Sequence, residues 1–364
     1  MEVNIFNKPS EMYNTLMTNS DTIIDRLNII ANDNLSNVLD THWEKLLFTR
    51  FIDRKILDVL IDKQKSLATY DSSYVSVMDH VDYKAINNIK NDSLRKAKGA
   101  TALLAFDTKW LRDHRKVEME QVKQSVYVDG EIKQKYGFVK NNSKKLIVVF
   151  QSSWANTKEI NKLKNTVSHE LLQDLFKYKK YQFFQFAQRN KDYDFIFLED
   201  EFNFVYGWFT TNYGHMIVEN IQNFIRELYK EYNEINFVGA SKGGYGAYHI
   251  GKDLDFVKSI TLIAPIIDVI SYSQKVNNQT ILGELSDGRE DLLKKIIDRQ
   301  NVEPINPSRI YMTTGESDYN YKQMIQLLEK HPGLNLNFTD KSYDHNDVIL
   351  HTYKSALSEN LGLI

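Results

Sequence analysis

The 364-residue sequence contains no cysteine. That removes disulfides, thiolate nucleophiles and cysteine-ligated zinc or iron–sulfur centres. Only 5 prolines and 15 glycines occur, so long flexible linkers are scarce, and no internal repeat or low-complexity stretch is visible. An excess of one charge is lacking too. The 46 Lys+Arg against 48 Asp+Glu give a formal net charge of −2, without the basic surplus of a protein whose main task is gripping nucleic acid. Apolar runs stay short: Leu146 to Phe150 and Ile260 to Ile267 fall far below the roughly 20 residues of a membrane helix. Met1 to Ser10 lacks the basic-then-apolar order of a signal peptide, so a soluble cytoplasmic protein is expected. No H-E-x-x-H or comparable cluster points to a metal. What is present is material for a core: 42% hydrophobic and 12% aromatic residues exclude wholesale disorder. The length suits one large domain with an appendage.

Residues 1–115 read as a helical N-terminal region. Leu46, Leu47, Phe51, Ile52, Ile56, Leu57 and Leu60 recur at three- and four-residue spacing, with Asp40 and Thr41 placed to cap the helix they start. From 116 onward the period changes. Val122 to Val128 and Lys133 to Val139 flank Asp129-Gly130, a hairpin signal. Lys145 to Phe150 is a continuous apolar run of the kind that buried parallel strands show. Strands are then predicted at 193–198, 235–238, 257–264, 309–313 and 334–338. Helices are predicted over 161–176, 216–232, from the elbow described below to 250, and over 285–299, 321–328 and 346–358. Such alternation means an α/β domain over 116–364, in three layers around a mostly parallel sheet with an antiparallel edge. Residues 271–303 stand where a cap insertion is expected.

Chemistry concentrates in Ile235-Asn-Phe-Val-Gly239-Ala-Ser241-Lys242-Gly243-Gly244. A strand ends, five residues make a tight G-x-S-x-G turn, and a helix begins at once, which is the setting of a nucleophile elbow. Ser241 must hold strained backbone angles so that its hydroxyl stands above the sheet. Gly239 and Gly243 leave room where a β-carbon would collide with neighbouring backbone. The main rival is a phosphate-binding glycine loop, but G-x-x-x-x-G-K-[ST] is absent and Lys242 follows the serine instead of preceding it.

A serine hydroxyl needs a base and the base an orienting acid, in the order Ser, acid, His. Of the histidines after Ser241, His249 lies inside the helix leaving the elbow and His331 at the opposite end of the sheet. His345 falls between the last strand and the last helix, where the base of such an arrangement comes over the serine; His351 is the fallback. Gly315-Glu-Ser-Asp318 follows a strand on the same edge and offers Asp318 as the acid, with Glu316 expected to point aside and Asp268 as runner-up. The oxyanion donors expected are the backbone N–H of Lys242 and that of Ser152 or Ser153, in the loop after Phe150. Trp154, Trp208 and Tyr213 are the aromatic residues expected at the substrate.

Gly239-Ala-Ser241-Lys-Gly243-Gly244, Gly315-Glu-Ser-Asp318 and Asp344-His345 together resemble the α/β-hydrolase superfamily over roughly residues 120–364. In layout the chain is similar to α/β-hydrolase-like proteins of bacterial capsule loci and to sugar O-acetyltransferases of accessory secretion systems. The resemblance implies acyl-ester chemistry through a Ser241–His345–Asp318 triad, on O-acyl groups of a carbohydrate such as a capsule or surface polysaccharide. It implies no cofactor beyond an acyl donor such as acetyl-CoA if the reaction is a transfer. The competing expectation is a non-catalytic hydrolase-fold scaffold that meets protein partners through its N-terminal helices.

Overall fold

The structure, a computed structural model, describes residues 116–117, 122–130, 132–152, 178–179, 181–200, 208–212, 215–275 and 290–363. The helices expected within 1–115 and over 161–176, the middle of the expected cap insertion, and Ser153, Trp154 and Tyr213 lie outside the described residues. The chain forms two compact units. One comprises Met1–Glu118, Ala155–Lys179 and Asn277–Gly288, and its described part is the parallel pairing of β1 (Lys116–Val117) with β5 (Tyr178–Lys179). The other comprises Met119–Trp154, Lys180–Val276 and Arg289–Ile364.

In that second unit the first half runs β2 (Lys123–Asp129), β3 (Ile132–Val139), β4 (Lys145–Phe150), α1 (Phe184–Arg189), β6 (Asp194–Leu198), β7 (Thr211–Asn212), β8 (His215–Met216) and α2 (Val218–Tyr229). Then follow β9 (Glu234–Ala240), α3 (Lys242–Gly251), β10 (Val257–Ile263), α4 (Val269–Lys275) and α5 (Glu290–Gln300). The chain closes with β11 (Ile310–Thr314), α6 (Tyr321–Lys330), β12 (Asn335–Phe338) and α7 (His345–Asn360). No helix among the described residues is long and apolar enough to cross a membrane.

Eight strands form one sheet in the order β12-β11-β10-β9-β4-β6-β3-β2. Within it β3 alone runs against its neighbours, pairing antiparallel with β2 and β6, while β6, β4, β9, β10, β11 and β12 are mutually parallel. The hairpin turns where expected, with Asp129 opposite Ile132 and Gly130 in the left-handed region at φ 60°. The central strands are continuously apolar because helices cover both faces: Leu146 to Phe150, Phe195 to Leu198 and Ile260 to Ile263 are buried. α2 contributes Val218, Ile221, Phe224 and Ile225 to this core and turns Glu219, Arg226 and Glu227 to solvent.

One buried carboxylate ties the lower rim together. Asp194 accepts hydrogen bonds from the N–H of Asn141 (2.7 Å), the N–H of Ser143 (3.1 Å) and the Tyr232 hydroxyl (2.8 Å). The start of β6 is thereby joined to the turn ahead of β4 and to Tyr232, three residues past α2. Burial and the Asp194 carboxylate push the Tyr232 phenol well above its usual range, which keeps it a donor. Asp194→Ala leaves those donors unmatched, and urea unfolding should record a loss of about 3 kcal/mol, with a smaller loss for Asp194→Asn.

Candidate active site

Ser241 stands between β9 and α3 at φ 51° and ψ −122°, a region that side chains other than glycine avoid. Its backbone is fixed on three sides. Its N–H donates to the Ile263 carbonyl (3.1 Å), and its carbonyl accepts from Tyr245 (3.2 Å) and Ile266 (3.1 Å). The flanking glycines have the role their spacing predicts. A β-carbon at Gly239 would overlap the Gly243 carbonyl oxygen, and one at Gly243 would overlap the carbonyl oxygen of Phe150 at the end of β4. The turn is thus pressed against the end of the neighbouring strand, with Ser241 partly exposed above it.

Two later loops bring their side chains to this hydroxyl. His345 Nε2 lies 2.9 Å from Ser241 Oγ, and His345 Nδ1 lies 3.2 and 3.4 Å from the two oxygens of Asp318. Asp318 is buried in the turn after β11, where its Oδ1 also accepts the N–H of Asn320 (2.8 Å). His345 is the first residue of α7 rather than a free loop residue. Asp344 caps that helix by accepting the N–H groups of Asn346 (2.8 Å) and Asp347 (2.9 Å), and the cap fixes where the imidazole leaves the backbone. The acid and base loops are also joined to each other, because Ser317 Oγ donates to the Lys341 carbonyl (2.6 Å).

The alternative partners are engaged elsewhere. Glu316 turns aside to Lys341 (3.1 Å). Asp268 caps α4, accepting from the N–H groups of Ile270 and Ser271 and from the Gln300 amide. His331 meets Glu303 (3.1 Å), and the ring of His351 is tilted against that of Tyr343, centroids 5.0 Å apart. His249 is buried and donates Nε2–H to the Ile267 carbonyl (2.7 Å). Burial, with the Lys252 and Arg299 cations nearby, holds its pKa well below the ordinary value. The fold therefore refuses a proton that the unfolded chain takes up at about pH 6.5. Stability present above that pH is lost below it, at about 1.4 kcal/mol per pH unit, down to the folded pKa. Urea midpoints measured from pH 7 to pH 5 should show this slope in the wild type and a flatter one in His249→Gln.

Lys242, the first residue of α3, turns its side chain away from the site. Its Nζ lies 2.5 Å from Asp200 Oδ2 beyond the end of β6, and the two side chains are 1% and 2% exposed. Ser152, partly exposed, follows Gln151 at the end of β4, beside the strand end that the elbow touches. Trp208 departs from expectation. Instead of facing a substrate it is 1% exposed, packed edge-on against Tyr245, tilted against Tyr272, and with Lys242 Nζ over its ring. Its apolar area is spent on the wall behind the site. Trp208 and Phe209 both have positive φ, 49° and 55°, so the backbone there is strained to seat them.

Among the described residues, the aromatic ring that reaches the site is that of Tyr319, next to Asp318. Its ring centroid is 4.3 Å from that of His345, and it is 37% exposed. Adjacency to the acid was the one sequence signal that could have singled it out.

Strand order, the single reversed strand and the elbow make this an α/β-hydrolase fold, as the motifs led one to expect. No family model and no curated protein matches the sequence. Among solved structures the chain is similar to the Pyrococcus furiosus esterase Pf2001, at 14% identity over 68% of this chain and 98% of that one, TM-score 0.43. It is likewise similar to the capsule O-acetyltransferase of Neisseria meningitidis serogroup A, at 16% identity over 69% and 99%, TM-score 0.43. A third is the Staphylococcus aureus fluorophosphonate-binding serine hydrolase FphF, at 14% identity over 66% and 98%, TM-score 0.41.

Proposed function

We propose that the protein is a serine-dependent acyl-ester hydrolase or acyltransferase that works through an acyl-enzyme. The observation that carries this reading is the unbroken hydrogen-bond chain from Ser241 through His345 to Asp318 on a strand–turn–helix elbow. Ser241 Oγ attacks the ester carbonyl while its proton passes to His345 Nε2, and Asp318 holds the imidazolium through Nδ1–H. Charge gathers on the carbonyl oxygen, for which the backbone N–H groups of Lys242 and of Ser152 or Ser153 are the assigned donors. Losing one such donor typically costs roughly 3 kcal/mol of transition-state stabilisation. Collapse of the adduct returns the proton from Nε2 to the departing alcohol and leaves the acyl group on Ser241. Water, or the hydroxyl of an acceptor, then adds with its proton passing to Nε2, and Ser241 departs.

The acyl groups are assigned to carbohydrate hydroxyls. What supports this is the partly exposed Tyr319 ring beside His345, a flat apolar face of the kind that sugar C–H groups pack against. A transferase would draw on an acyl donor such as acetyl-CoA.

A fluorophosphonate probe should label the wild type and leave Ser241→Ala unlabelled. His345→Ala should lower ester turnover by a factor on the order of 10⁴ to 10⁶ with little change in thermal midpoint. Folded wild-type protein that resists the probe would instead be a hydrolase-fold scaffold. Acetyl release measured with and without polysaccharide acceptors separates transfer from hydrolysis.

A further inference from the structure

We infer that the outer edge of β2 pairs antiparallel with the β2 of a second copy of this chain, in a two-fold dimer whose sheet runs through both protomers.

Among the described residues β2 ends the eight-stranded sheet, and an edge strand offers its outward N–H and C=O groups to any strand that can reach them. Which residues offer them follows from the ladder. Asp129 and Ile132 face each other across a two-residue turn, and such a pair exchanges both its hydrogen bonds. By alternation Tyr127, Ser125 and Lys123 also bond to β3. The far side of β3 agrees: the Lys135 carbonyl accepts the N–H of Glu199, just past β6 (3.0 Å), so it faces away from Val126, the residue opposite it on β2. The N–H and C=O of Gln124, Val126 and Val128 therefore point outward.

Side chains divide by the same alternation. Tyr127 stacks on Phe224 of α2, ring centroids 4.8 Å apart, and Asp129 Oδ2 accepts from Asn220 (2.9 Å) and Asn223 (3.3 Å) of that helix. Lys123, Ser125, Tyr127 and Asp129 thus share the α2 face. Gln124, Val126 and Val128 lie on the other, where Val126 is 44% and Val128 56% exposed. Apolar side chains this open on an edge strand favour pairing.

The order of charges selects a second copy as the occupant. The strand reads Lys123-Gln-Ser-Val126-Tyr-Val-Asp129, with opposite charges at its two ends and a valine at its middle. A two-fold axis through Val126 lays Lys123 of each copy opposite Asp129 of the other. These are non-hydrogen-bonded positions of the new ladder, where facing side chains come closest. Val126 meets its own equivalent and Gln124 meets Val128, with the outward N–H and C=O of all three engaged. This register mates every residue of β2, and a slip along the strand leaves Lys123 or Asp129 unmated. A parallel in-register pairing sets lysine against lysine and aspartate against aspartate, which is repulsive. Because the axis makes each edge cover the other, assembly closes at two copies.

Sedimentation equilibrium of the full chain should record a monomer–dimer equilibrium. Lys123→Glu and Asp129→Lys should each raise its dissociation constant about 10-fold, since the axis makes every change twice. Mixed one to one, the two variants should pair with each other about as tightly as the wild type, because both facing couples are again of opposite sign. Val126→Pro removes an N–H that β3 does not use, a substitution an edge strand tolerates, and should leave a monomer with a thermal midpoint near that of the wild type. A full chain that stays monomeric at every concentration overturns the proposal. So does a dimer that persists in folded Val126→Pro protein. A mixture of the charge variants that associates no better than either alone also overturns it, and that arm stands even if the proline variant fails to fold.

Discussion

Ser241→Gly is expected to yield a protein without ester turnover that is more stable than the wild type, by about 1 kcal/mol. The two effects have separate origins. Turnover goes because the nucleophile goes, a loss on the order of 10⁶ in triad hydrolases. Stability rises because φ 51° with ψ −122° costs a β-carbon-bearing residue roughly 1–3 kcal/mol. Glycine adopts the same angles freely and gives back only part of that gain through its more flexible unfolded chain. Ser241→Ala is the control: equally inactive, it keeps the β-carbon and should unfold near the wild-type midpoint. Calorimetry on the three proteins checks the ordering. If glycine and alanine variants melted together, the elbow would hold no strain.

Breaking the Lys242–Asp200 pair is expected to be the most damaging single change to the fold near the site. Both side chains are essentially withdrawn from water, 2.5 Å apart. Asp200→Ala takes from the ammonium the carboxylate 2.5 Å away, and Lys242→Met takes from the carboxylate its ammonium. Either should cost about 3–5 kcal/mol, which at roughly 2–4 °C per kcal/mol for a domain of this size lowers the melting temperature by about 6–20 °C. The double variant Lys242→Met with Asp200→Leu removes both charges together and should recover most of the loss. Additive losses in a double-mutant cycle by urea unfolding would show that the two groups do not depend on each other. Activity adds a second readout, since the backbone N–H of Lys242 is an assigned oxyanion donor.

The sheet was legible wherever burial wrote a continuous signal. β4 was expected at 145–150 and occupies Lys145–Phe150, because a strand covered on both faces reads as a nearly continuous apolar run. The elbow was legible for a related reason: its glycines are dictated by overlap with Gly243 and Phe150 carbonyls, a local steric fact. α1 was not legible. It spans six residues, starts from Phe183 at φ 63° and has no side-chain cap, so neither periodicity nor capping chemistry announces it. The reading of Trp208 failed because a loop rich in Phe, Tyr and Trp looks the same whether its rings line a cleft or fill the wall behind one. Burial decides, and burial is a property of the assembled fold. The partnerships of Lys242 with Asp200 and of Tyr319 with His345 were hidden likewise, since each joins residues that meet only when separate strands are laid side by side.

β12 spans Asn335–Phe338, and none of its four residues is fully buried. By area it adds little to the core, and a sheet ending at β11 would still enclose its greasy interior. Yet the chain leaving that slight ribbon is the one that delivers His345 over a hydroxyl rooted three strands inward. The margin of the molecule thus works as a bracket, holding a tool over the centre, and its place is justified by what hangs from it rather than by what it covers.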